Sequence, residues 1–186
     1  MISVIPAFKL GWGNGWIGAV PLMLTMLMLF LTNKRASQRA MDMSAYTVRE
    51  RIRTLASTYI FFGAVLYSIV LPLRWGTPWF YIGLIVYACG CIPYIISTVN
   101  FAATPLNEPI VSGVYRISRN PLYLFSALIL LGIGIAGASW LMIVLVILFI
   151  VVNHSTVLAE ERFCSEKYGE PYRTYMRTVP RYLLFF

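Results

Sequence analysis

Four long apolar runs, separated by short polar stretches, set the pattern along the chain. They cover residues 16–32, 57–73, 79–99 and 122–158. The first three are each near the ~20 residues an α-helix needs to cross the hydrocarbon core of a bilayer. The fourth is too long for one helix, and small residues interrupt it at Gly132, Gly134, Gly137, Ala138 and Ser139. It reads as two helices joined by a tight turn. The arm before the turn is short, so this hairpin is expected to tilt or to stop short of a full crossing. The pattern predicts an all-α integral membrane fold of five transmembrane helices, the last two a tight helical hairpin.

The polar intervals carry structure of their own. Residues 41–54 mix Met, Val, Ile and Leu with Arg at helical spacing, which predicts an interfacial helix on the cytoplasmic leaflet. The stretch 100–123, NFAATPLNEPIVSGVYRISRNPLY, holds Pro105, Pro109, Gly113 and Pro121 and cannot be one regular helix. It is also too apolar for a solvated linker. Irregular backbone at membrane depth is stable only when buried in protein or lining a cavity; a loop folded on the membrane surface is the equal alternative. In the tail, 160–186, the last long helix is expected to run to about Tyr168. Gly169 then suits the C′ position and Pro171 the first turn of a further short helix.

Composition favours the bilayer. Hydrophobic residues make up 59% of the 186 and charged residues only 12%, about half the share found in soluble domains. A net charge of +8 would point to nucleic acid in a soluble protein; here the placement of the charges points to the lipid bilayer and to no nucleic acid. Lys34, Arg35, Arg39, Arg49, Arg51 and Arg53 follow the first run, Arg116 and Arg119 follow the third, and Arg162, Lys167, Arg173, Arg177 and Arg181 follow the fourth. These segments share one side only if the hairpin counts as two crossings. The other side keeps Lys9 and Arg74. The positive-inside rule then puts the N-terminus outside and the C-terminus in the cytoplasm. The first run lacks the basic region and cleavage site of a signal peptide. Cys89, Cys91 and Cys164 form no CxxC and no disulfide framework.

Glu160 and Glu161 follow about twenty apolar residues, and carboxylates so placed are functional candidates because they are costly. Pairing with Arg162 or with loop arginines is the structural alternative. Asn153, His154 and Thr156 lie one or two turns earlier. A lone His there is more often a helix–helix hydrogen-bond partner than a ligand, and no His, Cys or carboxylate cluster has metal spacing, so no metal is expected. Gly13-Asn-Gly15-Trp-Ile-Gly18 is a literal dinucleotide motif with no strand before it, and Asn153-His-Ser155 is a sequon inside a helix. Both are coincidences.

One ordered set of motifs remains. Ser112-Gly-Val-Tyr-Arg-Ile-Ser-Arg-Asn-Pro-Leu-Tyr123 precedes the hairpin. Glu160-Glu161, Tyr168-Gly-x-x-Tyr172-x-x-Tyr175 and Val179-Pro-Arg181 follow it. The set resembles the isoprenylcysteine carboxyl methyltransferase family, over roughly residues 100–181. The resemblance implies a transferase that uses S-adenosylmethionine in a cytoplasmic pocket formed by the C-terminal half. It divides the chain into three N-terminal transmembrane helices with the interfacial helix, 1–99, and a methyltransferase core, 100–186. By position it assigns Asn107, Glu108, Pro109, Ile110, Tyr115, Asn120, Pro121, Leu122, Tyr123 and Glu160 to the cofactor. Carboxylates beside aromatic rings suit a sulfonium cation that carries an ammonium group.

The resemblance also implies a lipidated substrate, an isoprenylated cysteine or another lipid-like acceptor, methylated on a carboxylate. The sequence departs from the eukaryotic members at two places: Asn120 stands where they carry His, and Thr156 where they carry a substrate-binding arginine. Thr156 itself, Asn153 one helical turn before it, and the loop arginines Arg116 and Arg119 are the candidates for orienting the substrate. A carboxylate is already ionised at neutral pH, so no catalytic acid or base is assigned and positioning is expected to dominate. A phospholipid N-methyltransferase is the first alternative; its amine acceptor must lose a proton, and His154 is the obvious base. A sterol-type NADPH reductase and a non-enzymatic lipid-binding protein rank below it. The native acceptor and the oligomeric state are not fixed by the sequence.

Overall fold

The computed structural model describes residues 8–183, so the last three residues of the expected tail lie outside it. Seven α-helices and one 3-10 turn make up the described chain: α1 (Trp16–Thr32), α2 (Lys34–Met41), α3 (Val48–Val70), α4 (Pro78–Ala103), the turn Gly113–Arg116, α5 (Pro121–Ala136), α6 (Trp140–Tyr168) and α7 (Glu170–Thr178). The described residues hold no sheet; Asn14 and Pro72 form an isolated antiparallel bridge.

Helices α3, α4 and α6 are each long and apolar enough to cross a membrane, and α1 with α2 makes a fourth candidate if the bent pair is one span. The fifth expected span is the exception. Helix α5 has 16 residues, about 24 Å of rise against a hydrocarbon core of roughly 30 Å. The chain is a multi-pass membrane protein by these lengths, with large apolar side chains such as Leu24, Leu27, Ile85, Ile92, Ile147 and Val151 exposed on its outer faces.

The expected interfacial helix over 41–54 does not form. The chain turns between Met41 and Val48, and Thr47 and Glu50 form a capping box that starts α3 there, so Arg49, Arg51 and Arg53 belong to its first turns. The amphipathic helix is α2 instead, which leaves α1 at an angle of 112°. Asn33 makes this bend: its side chain caps α2 through the Ala36 N–H and donates to the Ala102 carbonyl of α4, 2.8 Å away.

The hairpin forms as the small residues predict. Residues 137–139 connect α5 to α6, with Ala138 at φ 48° and the Ser139 hydroxyl accepting from the Met142 N–H. Helix α5 is held chiefly by α4. Gly83 and Gly90 on α4 meet the α5 backbone so closely that a Cβ on Gly83 would stand 2.4 Å from the Ala136 nitrogen. Small residues that let backbones meet are how helices pack in lipid, where apolar burial gives little drive. Helix α6 ends at Tyr168, Gly169 takes φ 64°, and α7 follows with Pro171 in its first turn, as expected.

The two ends of the bundle differ in character. At one end Lys9–Gly15 folds over the α3–α4 connection, with Gly15 N donating to Leu71 O at 2.8 Å. Loop 104–120, α2, the start of α3 and α7 gather at the other, around the lower turns of α6.

Candidate functional site

At that second end the helices enclose a cavity of about 440 Å³, within the ~300–1,000 Å³ common for small-molecule sites. Its walls come from both halves of the chain. Met26, Leu29 and Phe30 of α1, with Phe61 and Phe62 of α3, form an apolar wall. Arg39, Asp42 and Tyr46 close the side nearest α2, and Tyr115, Tyr123, Glu160, Tyr172 and Tyr175 form the polar part.

Glu160 is the centre of the polar part. It lies two turns before the end of α6, and Tyr123 on α5 donates its hydroxyl to Glu160 Oε1. No Lys, Arg or His among the described residues pairs with it. A half-buried carboxylate beside phenols and without a cation suits a cationic ligand. The neighbouring phenols stay neutral: burial pushes Tyr46, Tyr115 and Tyr172 above the usual tyrosine range, and the nearby Glu160 adds to the rise at Tyr46 and Tyr115.

Glu161, the next residue, faces the other way. Its carboxylate takes Arg119 Nε at 3.1 Å, Asn120 Nδ2 at 3.0 Å and Arg181 Nη2 at 2.9 Å. Arg119 N also donates to Pro180 O, and Ser118 Oγ to Arg181 O. These bonds tie the start of α5, the end of α6 and the tail into one buried network. Tyr175 adds a bond to the Tyr115 carbonyl at 2.6 Å, and Tyr168 one to the Leu106 carbonyl. The motif residues thus divide by role: Glu160 and Tyr123 face the cavity, while Glu161, Arg119 and Arg181 build its frame.

Eight of the ten residues assigned to the cofactor line the cavity: Pro109, Ile110, Tyr115, Asn120, Pro121, Leu122, Tyr123 and Glu160. Asn107 and Glu108 do not; they are exposed, and Glu108 contributes its carbonyl to Arg39 at 3.1 Å. Of the residues assigned to the substrate, Arg116 is exposed and off the cavity. Arg119 lines it, but its guanidinium is committed to Glu161. Asn153 and Thr156 both line the cavity; Asn153 accepts from Ser57 Oγ at 2.8 Å, and the Thr156 and Thr54 hydroxyls share a bond of 3.2 Å, so both also join α6 to α3. His154 is exposed, beside Tyr182 at 3.2 Å, and does not line the cavity.

The sequence reading missed the contribution of the N-terminal half. Arg39 looks like a topology charge, and Asp42 and Tyr46 fall in a stretch, MDMSAYT, without a motif. Only the fold brings them to the cavity. Among the described residues no group of three His, Cys, Asp or Glu side chains is placed to hold a metal ion.

The site is thus a half-apolar cavity in a transmembrane helix scaffold, with a carboxylate that pairs with no cation among the described residues. Residues 80–171 match the family model of the phospholipid methyltransferases. That family is related, within one superfamily, to the isoprenylcysteine enzymes that the motifs resemble. The protein is therefore a membrane methyltransferase, and enzymes of this family use S-adenosylmethionine. No curated protein and no solved structure matches the chain.

Proposed function

We propose that the chain methylates the amine of a phospholipid headgroup. The observation that carries this reading is the family match over 80–171, the segment that supplies Tyr115, Tyr123 and Glu160 to the cavity. The cavity is consistent with it. Its apolar wall of Met26, Leu29, Phe30, Phe61 and Phe62 suits acyl chains, and its acidic end suits a cationic donor.

S-adenosylmethionine supplies an electrophilic methyl group on a sulfonium. The chain's part is to hold that cation at Glu160, with Tyr123 fixing the carboxylate, and to seat the acceptor in line while excluding water. Held there, the donor would supply its methyl group to a headgroup amine that enters as the free base, having released its proton to bulk water at the cavity mouth, and Glu160 and Tyr123 would keep the two groups aligned. His154 is exposed and does not line the cavity, so it is assigned no role as the base for that amine. Five helices, α1, α3, α4, α5 and α6, alternate in direction, and the basic segments gather at the cavity end. We place that end, the C-terminus and the cofactor entrance in the cytoplasm.

Membranes containing the chain, incubated with methyl-labelled S-adenosylmethionine, test the acceptor directly. The expected result is base-stable label in phosphatidylethanolamine derivatives. Base-labile label on a farnesylcysteine analogue, with none in phospholipid, would overturn the amine reading in favour of a carboxylate acceptor.

A further inference from the structure

Three cations among the described residues line the cavity: Arg119 pairs with Glu161, Lys167 lies 3.8 Å from Asp42, and Arg39 has no carboxylate partner. It lies in the last turn of α2, outside the segment that matches the family model. Three backbone carbonyls hold its guanidinium: Thr104 at 3.2 Å, Pro105, and Glu108 at 3.1 Å. The Phe101 ring lies 5.8 Å from its central carbon. No carboxylate among the described residues pairs with it; Asp42, three residues on, lies 3.8 Å from Lys167 instead. Its Nε–H is buried without any hydrogen-bond partner.

This combination is costly without a ligand. A buried, unsatisfied donor on a charged group loses its hydration and gains nothing in return. The carbonyls fix the plane of the fork but leave its charge uncompensated. An arginine fork binds phosphate or carboxylate oxygens through paired N–H groups. The depth fits as well. A helix leaving a membrane-spanning helix at 112° runs along the interface, where lipid phosphates lie.

From this we infer that Arg39 binds the phosphodiester of the lipid substrate, with Nε–H, the guanidinium donor that the protein leaves without a partner, turned to a phosphate oxygen. The inference rests on the phospholipid reading and adds a specificity element to it. Arg39 at α2 and Glu160 on α6 then sit on one cavity as sites of opposite sign. The phosphate is held at Arg39, the cationic methyl donor at Glu160, and the headgroup amine lies between them.

The test uses the full chain in detergent micelles and measures retention of radiolabelled dioleoylphosphatidylethanolamine and of dioleoylglycerol, which lacks the phosphate. Binding needs no methyl transfer, so its outcome is separate from whether phospholipid is the methyl acceptor. Wild type is expected to prefer the phospholipid, and Arg39→Gln to reduce that preference roughly 10- to 100-fold, the worth of a charge-assisted hydrogen bond. Affinity for S-adenosylhomocysteine, by calorimetry, is expected to change less than twofold. Arg39→Lys keeps the charge but loses Nε–H and the fork, and is expected to lose part of the preference; it decides the matter if the Gln variant does not fold. Equal binding of both lipids by wild type, or an undiminished preference in the folded variants, overturns the inference. So does a tenfold loss of S-adenosylhomocysteine affinity, which would place the cofactor carboxylate at Arg39, or tighter binding of farnesylcysteine than of phospholipid.

Discussion

Arg119 and Glu161 form an ion pair at 3.1 Å, with both side chains only 3% exposed. The pair joins the residue two before α5 to the lower part of α6, and Arg181 closes on the same carboxylate from the tail. Removing one partner of such a pair leaves a buried charge alone, which costs about 3–5 kcal/mol. Glu161→Ala is expected to lower stability by that order, read by chemical unfolding in detergent. Glu161→Ala combined with Arg119→Met is expected to recover part of the loss, because no unpaired guanidinium remains at that position.

Glu160 differs because its carboxylate lines the cavity instead of joining the frame, and the proposed function assigns it to the ligand. Glu160→Ala is expected to abolish cofactor binding in calorimetry while shifting the unfolding midpoint little. Tyr123→Phe removes the side-chain hydrogen bond that Glu160 accepts among the described residues and is expected to weaken binding roughly tenfold. Normal affinity in Glu160→Ala would remove this residue from the cofactor site.

His154 points away from the cavity and contacts Tyr182. His154→Ala is therefore expected to keep the wild-type rate and the wild-type pH–rate profile. A rate loss above tenfold would return the imidazole to the mechanism.

The contact between α4 and α5 depends on absent side chains. Gly83→Val would drive Cγ atoms into the Ala136 and Gly132 backbone, already 2.4 and 2.6 Å from an ideal Cβ. Since backbone cannot give way as a flexible side chain can, the cost is expected to be about 1–3 kcal/mol or more, with a lower thermal midpoint in detergent. Gly63, whose Cβ would meet nothing within 4 Å, is the control: Gly63→Ala is expected to be neutral or slightly stabilising.

Burial raises the phenols of Tyr46, Tyr115 and Tyr172. A group whose pKa is higher in the folded state keeps its full contribution below its unfolded value, near pH 10, and loses it as pH rises further. Stability is thus expected to be insensitive to these tyrosines below about pH 10 and to fall above it. Phenolate absorbance should show a class of tyrosines that ionises only together with unfolding.

Much of this architecture is legible in the chain because its causes are local. Apolar length marked α3, α4 and α6; the cluster of small residues at 132–139 marked the hairpin; Gly169 and Pro171 marked the break before α7. The helix expected over 41–54 failed for an equally local reason, the Thr47–Glu50 box that restarts the chain. The ordered motifs pointed to the methyl donor and to eight residues that line one cavity. The residue pattern by itself did not separate Glu160 from Glu161, which only the resemblance did by position, nor Arg39 from the other basic residues near it. Two adjacent carboxylates on a helix differ by 100° in direction, and only the packing of α5, α7 and the tail decides which one meets the arginines and which one faces the cavity. Arg39 likewise becomes a cavity residue only through the bend at Asn33 and the carbonyls left free beyond the end of α4, contacts spanning more than sixty residues.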